Sequence, residues 1–235
     1  MAEAATHAHA LLEPFSDPDA VARYTEGPRR FVPGFESLHR MTSILLAERT
    51  PVDARVLVVG AGGGLELKAL AETAPRWTFV GVDPAAEMLK LAERTLGPAL
   101  FSRVQLHHGY IDDAPEGPFD AATCLLTLHF LDAAARLRTV REIRRRLVPG
   151  AAFVAVHSSF PQEKVARDVW LSRYAAYAVA SGADPDKVTS MKAAVAAHLS
   201  LLTPEEDAAI LRKAGFVDVE MFYAAFTWRG WVAYA

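Results

Sequence analysis

The strongest constraint on this chain is the run Val56-Leu57-Val58-Val59-Gly60-Ala61-Gly62-Gly63-Gly64-Leu65-Glu66. An apolar, β-prone stretch ends in a glycine cluster, and a helix-like segment opens directly behind it. A second apolar run, Trp77-Thr78-Phe79-Val80-Gly81-Val82, ends in Asp83, about 23 residues after Gly60. A strand that is apolar without alternation is buried on both faces, as inside a parallel sheet. Glycines at its end let backbone N–H groups approach a ligand closely. An acid at the tip of the next strand can accept from ribose hydroxyls, so the pattern points to a nucleotide cleft at the carboxyl edge of the sheet.

The rest of the chain continues the same rhythm. Strands are expected near 55–60, 77–82, 103–107, 119–125 and 151–157, with helices near 64–73, 85–95 and 133–146 between them. Alternation of this kind builds a parallel sheet covered by helices on both faces. Residues 16–49 read as helical, with a cap at Ser16 or Asp17 and breaks at Gly27-Pro28 and Pro33-Gly34. Beyond residue 157 two alanine-rich helices are expected near 161–180 and 186–200. Thr203-Pro204-Glu205-Glu206 is a capping box with proline at the first helical position. Two β-like runs, Phe216 to Ala224 and Phe226 to Tyr234, close the chain.

The glycine spacing separates two kinds of nucleotide site. A dinucleotide fingerprint from Gly60 would need its third glycine at position 65, which is Leu65; the pattern is instead Gly60-x-Gly62-x-Gly64. That pattern resembles the first motif of the class I S-adenosylmethionine-dependent methyltransferases. Three further segments follow in that family's order: Val82-Asp83-Pro84-Ala85-Ala86-Glu87-Met88-Leu89, Phe119 to Leu131, and the turn Leu147-Val148-Pro149-Gly150-Ala151. The resemblance covers about residues 52–157. It implies an α/β fold: a Rossmann-like three-layer αβα sandwich, its mostly parallel seven-stranded sheet having an antiparallel last strand. It also implies S-adenosylmethionine as cofactor, S-adenosylhomocysteine as product, and cofactor contacts from Gly60, Ala61, Gly62, Gly64, Asp83, Pro84, Met88, Tyr110, Ile111, Asp112, Leu126, Thr127 and Phe130. Two positions depart from the family. The acid usual two residues before the first glycine, which helps to bind the methionine end of the cofactor, is Val58. Tyr110 replaces the acid expected beside adenine, with Asp112 close behind.

A narrower resemblance rests on Arg30-Phe31-Val32-Pro33-Gly34-Phe35, Leu128-His129-Phe130-Leu131 and the ending from Ala214 to Ala233. These are similar to the carboxy-S-adenosylmethionine synthases of wobble-uridine tRNA modification and the methyltransferases related to them. It implies that Arg30 closes over the cofactor. Those synthases hold an extra carboxylate with an arginine a few residues before a Glu-Asn pair; this chain has Lys192 and Ala196-Ala197 in the comparable helix. A lysine does not replace a bidentate guanidinium fork. The preferred expectation is therefore a methyltransferase acting on a small molecule. The alternatives are a synthase-like enzyme and a cofactor-binding protein without transferase activity.

A methyl acceptor that must lose a proton needs a base. His129, beyond the fourth strand, is the first candidate, because an unperturbed histidine titrates near working pH; the other reading is that it packs or bonds backbone. His157, at the end of the fifth strand, is the second. Tyr24, Phe35, Trp170, Arg173, Tyr174 and Tyr177 are candidates for the acceptor pocket, although the helical spacing of the last aromatics also suits a core stripe. His107 and His108 read as structural or adenine-side contacts. The arginines at 136, 138, 141, 144, 145 and 146 read as a solvated helix face.

Composition narrows the classes. The chain has 235 residues, a net charge of −3 and one cysteine, Cys124. That length suits one domain with a well-buried core, expected as an N-terminal helical lid (1–50), a cofactor core (51–157), a helical insertion over the active site (158–200), and a C-terminal helix with strands (201–235). The charge gives no pull toward nucleic acid or anionic membrane. No apolar run reaches the roughly 18 residues of a membrane-spanning helix. Met1 to Ala10 lacks the leader of a secreted protein, and a lone cysteine excludes an internal disulfide, so a cytoplasmic location is expected. There is no metal-ligand spacing, His7 and His9 reading as solvated. The exposed helices of 161–200 are where a homodimer would form.

Overall fold

The computed structural model describes Phe15, Asp17, Val21 and residues 24–235. The expectations for Met1 to Ala10 and for a cap at Ser16 fall outside these residues.

The expected strands form as β1 (Arg55–Val59), β2 (Thr78–Asp83), β3 (Val104–His108), β4 (Phe119–Leu125), β5 (Leu147–Ser158), β6 (Val217–Ala225) and β7 (Trp228–Tyr234). Among the described residues they make one seven-stranded sheet in the order β3-β2-β1-β4-β5-β7-β6. β1 to β5 are parallel, and β7 runs antiparallel to both β5 and β6. The order reverses beside β1, which is where open α/β sheets bind ligands.

Helices cover both faces. They are α1 (Gly27–Phe31), α2 (Phe35–Ala47), α3 (Leu65–Thr73), α4 (Ala86–Phe101), α5 (Ala133–Arg145), α6 (Lys164–Ala180), α7 (Pro185–His198) and α8 (Pro204–Lys213). The alternation along β1 shows how the layers are joined. Val56 and Val58 enter one core with Leu38 and Leu46 of α2 and Leu67 and Leu70 of α3. Leu57 and Val59 enter the other with Val140 and Ile143 of α5 and Leu211 of α8. Each fully buried side chain of this size contributes about 1.5–3 kcal/mol. A polar substitution within β1 therefore damages one core or the other.

Local signals set most boundaries. Asp132 caps α5, its Oδ1 accepting from Ala135 N–H at 2.7 Å. Thr203 and Glu206 form the expected capping box of α8. Gly27-Pro28, expected as a break, instead starts α1, because proline is tolerated at the first helical turn. α4 runs on to Phe101 across a kink at Gly97-Pro98, beyond the expected end near 95. Leu147 to Gly150 is not a turn before β5 but an irregular part of it, where the pairing with β4 shifts between Phe119 and Ala121.

Two hydrogen bonds fix α1 and α2 over the carboxyl edge. Trp228 Nε1 donates to the Phe31 carbonyl at 2.9 Å, and Tyr223 Oη donates to the Pro33 carbonyl at 2.6 Å. α6 packs on α1, placing the helical pair α6–α7 beside the same edge.

Candidate functional site

The loops after β1 to β4 converge on one cavity. Its floor is the backbone of Gly60, Ala61, Gly62 and Gly63, and its walls include Tyr24, Phe35, Glu66, Asp83, Pro84, Met88, Tyr110, Ile111, Asp112, Leu126, Thr127 and Phe130. Most of the residues the sequence marks for a cofactor are thus brought together. Gly60 sits at φ +78, and a Cβ there would lie 2.0 Å from Thr127 Oγ1, so the loop after β4 seats directly on it. Thr127 Oγ1 in turn donates to the Leu125 carbonyl at 2.9 Å. Leu126 holds a left-handed φ of 57° where the chain leaves β4, a strained conformation of the kind found at binding edges.

Asp83 is engaged before any ligand arrives. Its Oδ2 accepts from Gly62 N–H at 2.8 Å and its Oδ1 from Ala85 N–H at 2.9 Å. The carboxylate therefore ties the glycine loop to the start of α4. Each oxygen keeps a second lone pair for a hydroxyl. Burial pushes the Asp83 carboxyl upward, opposed by the two backbone N–H groups and by His108.

Two residues expected at the cofactor lie elsewhere. A Cβ on Gly64 would meet Ala92 Cα at 2.8 Å, so this glycine serves the close packing of α3 on α4. Arg30 pairs with Glu26 one helical turn away, at 3.0 Å, on an exposed face. Sterics and a nearer acid decide these two positions.

Beyond Phe130 lies a second cavity of about 480 Å³, beneath α6 and α7. Its walls are Phe15, His129, Phe130, Ser158, Leu171, Tyr174, Met191, Ala194, Val195, His198, Leu199, Thr227 and Trp228. Phe15 and Phe130 belong to both cavities. Of the expected acceptor residues, Tyr174 faces this cavity, while Tyr24 and Phe35 face the first. Trp170, Arg173 and Tyr177 face neither. Arg173 and Arg229 lie over the Trp170 ring at 4.6 and 5.4 Å, and Tyr177 packs against Phe226 at 5.6 Å.

The two histidines part company. His129 is buried against Phe130 and Trp228, and its Nδ1 has no hydrogen-bond partner among the described residues. Burial, then His157 and Arg136, holds it well below the usual histidine range. The expectation of a group titrating near neutrality is corrected: this imidazole is neutral at pH 7. His157 lines neither cavity; its Nε2 lies 3.1 Å from Asp207 Oδ1 and its ring packs on Trp231. Asp207 also pairs with Arg136. Burial alone would raise the Asp207 carboxyl, but His157 and Arg136 bring it below the usual range. His157 is thus part of a buried structural cluster, because α8 brings an acid to it.

The solvated arginine face holds at Arg138, Arg141 and Arg145, which are exposed, and is corrected at two positions. Arg136 is 1% exposed and donates to the carbonyls of Leu128, Leu131 and Ser200. Arg146 is as deeply buried, held by Glu142 and the Ala114 carbonyl. His107 Nε2 lies 3.5 Å from Asp113 Oδ1, and His108 Nε2 bonds the Pro84 carbonyl at 3.1 Å.

Sequence reasoning missed Glu66. It stands on the first turn of α3, is 6% exposed, and faces the first cavity with Oε1 unpartnered among the described residues. Burial pushes its carboxyl up to about 8, with the Thr123 hydroxyl opposing. The available signal was an acid between Leu65 and Leu67, on a face of α3 that must be inward. Among the described residues no group of three or more His, Cys, Asp or Glu side chains could hold a metal ion, and no helix is long and apolar enough to cross a membrane.

Residues 56–150 match the model of the methyltransferase domain family. With its sheet order and its glycine-floored cavity, this segment is a methyltransferase domain, similar to those of the class I S-adenosylmethionine-dependent methyltransferases. S-adenosylmethionine is the cofactor of the class. Over 93% of both chains, it is 20% identical to a carboxy-S-adenosyl-L-methionine synthase of Staphylococcus epidermidis. Among solved structures it is similar in fold to human N-acetylserotonin methyltransferase in complex with S-adenosylmethionine, with a TM-score of 0.63 and 13% identity over 95% of this chain and 58% of that one. It is likewise similar to the pyocyanin biosynthetic protein PhzM, with a TM-score of 0.67 and 21% identity over 95% of this chain and 61% of that one. The chain thus spans about three fifths of the length of those two structures.

Proposed function

We propose that the protein transfers a methyl group from S-adenosylmethionine to an uncharged, largely apolar small molecule seated in the cavity beneath α6 and α7. The observation that carries this reading is that cavity's wall. It holds aromatic and aliphatic side chains with a few polar groups, among them Ser158 and Thr227, and no Asp, Glu, Lys or Arg among the described residues. A charged acceptor there would lose its hydration without gaining a partner, at a cost of several kcal/mol.

The first cavity fits the cofactor. Its floor is glycine backbone, Asp83 stands where ribose hydroxyls are taken, and the walls beside Tyr110 and Met88 are apolar. Gly60, Ala61, Gly62, Asp83, Pro84, Met88, Tyr110, Ile111, Asp112, Leu126, Thr127 and Phe130 would hold it; Arg30 and Gly64 support the fold instead. When bound, the cofactor supplies a methyl carried on a positively charged sulfur. The chain's part is placement and exclusion of water. Phe130, common to both cavities, marks where the two ligands meet. His129 then orients the acceptor: a neutral imidazole nitrogen can accept a hydrogen bond from a hydroxyl or amine. Tyr174 and Trp228 shape the wall, and residues 24–50 and 158–200 act as the covers of the two cavities.

The wall also weighs against a carboxylated ligand in the second cavity. Lys192 is turned outward, its Nζ bonding Ser172 Oγ at 2.9 Å. The test is an acceptor screen with the purified protein, S-adenosylhomocysteine release being measured over panels of neutral and charged small molecules. Turnover confined to apolar hydroxyl or amine compounds, reduced at least tenfold by His129→Ala with unchanged cofactor affinity, is expected. Turnover only with charged acceptors would overturn the reading.

A further inference from the structure

The class expects an acid two residues before Gly60, and this chain has Val58, fully buried in the core. Val58 and Thr123 are register partners on β1 and β4, so their side chains leave the same face of the sheet. Glu66 stands beside that Thr123 hydroxyl. A carboxylate from α3 therefore reaches the region that an acid at 58 would occupy. It is buried, it borders the cavity, and one oxygen has no partner among the described residues.

We infer that Glu66 binds the α-ammonium of the cofactor's methionine end, the acid having been supplied from the helix rather than from the strand. This rests on the proposal that the first cavity holds S-adenosylmethionine. A buried acid with an open lone pair suits a cation, and a charge-assisted hydrogen bond is about twice as strong as a neutral one.

The surroundings give the contact a measurable consequence. The titratable groups around Glu66 are Tyr24, His39, Asp83 and Cys124. Burial, then Asp83 and Glu66, pushes the Tyr24 phenol up to about 12. Burial, then Arg29, brings His39 down to about 4. Burial, then Glu66, pushes the Cys124 thiol upward. None of these three carries a charge at pH 7, and Asp83 is an acid, so no neighbouring cation ionises Glu66. In the free protein Glu66 is protonated. An incoming ammonium ionises it: the carboxyl O–H breaks and the proton passes to buffer. Cofactor binding at pH 7 therefore releases close to one proton.

The experiment is isothermal titration calorimetry at pH 7 in two buffers of different ionisation enthalpy. S-adenosylmethionine, S-adenosylhomocysteine and methylthioadenosine, which lacks the amino-acid end, are titrated into wild type, Glu66→Gln and Glu66→Asp. Release of close to one proton is expected with the first two ligands on wild type, and none with methylthioadenosine. Glu66→Gln should abolish the release and weaken the first two ligands roughly ten- to a hundredfold, leaving methylthioadenosine within twofold. Glu66→Asp should keep the release and bind more weakly. Unchanged affinities in Glu66→Gln, or no proton release by wild type, would overturn the inference, as would an effect on S-adenosylmethionine alone, which would assign Glu66 to the sulfonium. Wild type that binds none of the three ligands would instead overturn the cofactor reading. Should both variants fail to fold, the wild-type proton count decides.

Discussion

Keeping an acid at position 66 costs stability in the free protein, and the cost can be worked out. In an unfolded chain this carboxyl has its ordinary value of 4.5; burial in the folded chain pushes it up to about 8. A group raised in the folded state contributes stability that is fully present below pH 4.5 and is lost as pH rises through 8. At pH 7 the folded chain still holds the proton that the unfolded chain has released. At about 1.4 kcal/mol per pH unit, the loss by pH 7 is on the order of 3 kcal/mol. That is a large share of the roughly 5–15 kcal/mol that holds a typical domain together. Glu66→Gln has nearly the same shape and cannot ionise. Urea unfolding of both proteins without cofactor, at pH 5, 7 and 8.5, isolates the contribution, because every other titrating group is common to both. The variant should gain under about 1 kcal/mol at pH 5, about 3 kcal/mol at pH 7, and about 4–5 kcal/mol at pH 8.5. Parallel stability curves across this range would show that Glu66 is solvated or paired in the folded protein and would refute the reasoning. A stabilising substitution that weakens ligand binding is the usual signature of a group retained for function.

Two further predictions follow from other parts of the fold. Arg136→Met leaves the buried Asp207 carboxylate with His157 as its remaining charged-group neighbour and frees three carbonyls, so urea unfolding should show a loss of about 3 kcal/mol, much of it recovered when Asp207→Leu is added; a double variant no more stable than the single would mean the pair is not isolated from water. Gly64→Ala should destabilise by about 2–4 kcal/mol through its left-handed backbone and its clash with Ala92, while calorimetry on the folded fraction finds cofactor affinity unchanged; a selective loss of affinity would return Gly64 to the binding site.

The fold was legible along the chain because its signals are local. Unbroken apolar runs mark interior parallel strands, glycines mark the sharp β1–α3 turn, and Thr203 to Glu206 spells out a helix start. The family's motif order and the ligand edge followed from the same residues, as did the grouping of Gly60, Asp83, Tyr110 and Thr127. The readings that needed revision concern polar side chains whose environment is made by distant elements. Arg136 and Arg146 look solvated on their own helix and are buried because α8 and the loop before β4 close over them. His129 and His157 sit at strand ends that look alike in sequence, yet one borders a cavity and the other meets Asp207, some fifty residues onward.

By itself, then, the sequence determined the sheet, its helical layers and the edge at which a nucleotide-like ligand binds, since these depend on periodicity and backbone conformation over short spans. Only the tertiary structure decided which polar groups are desolvated. It placed Glu66 in the cavity of a chain whose strand carries Val58, and it left His129 neutral under α6 and α7. Desolvation depends on everything packed around a group, and that is settled only when segments far apart in the chain meet.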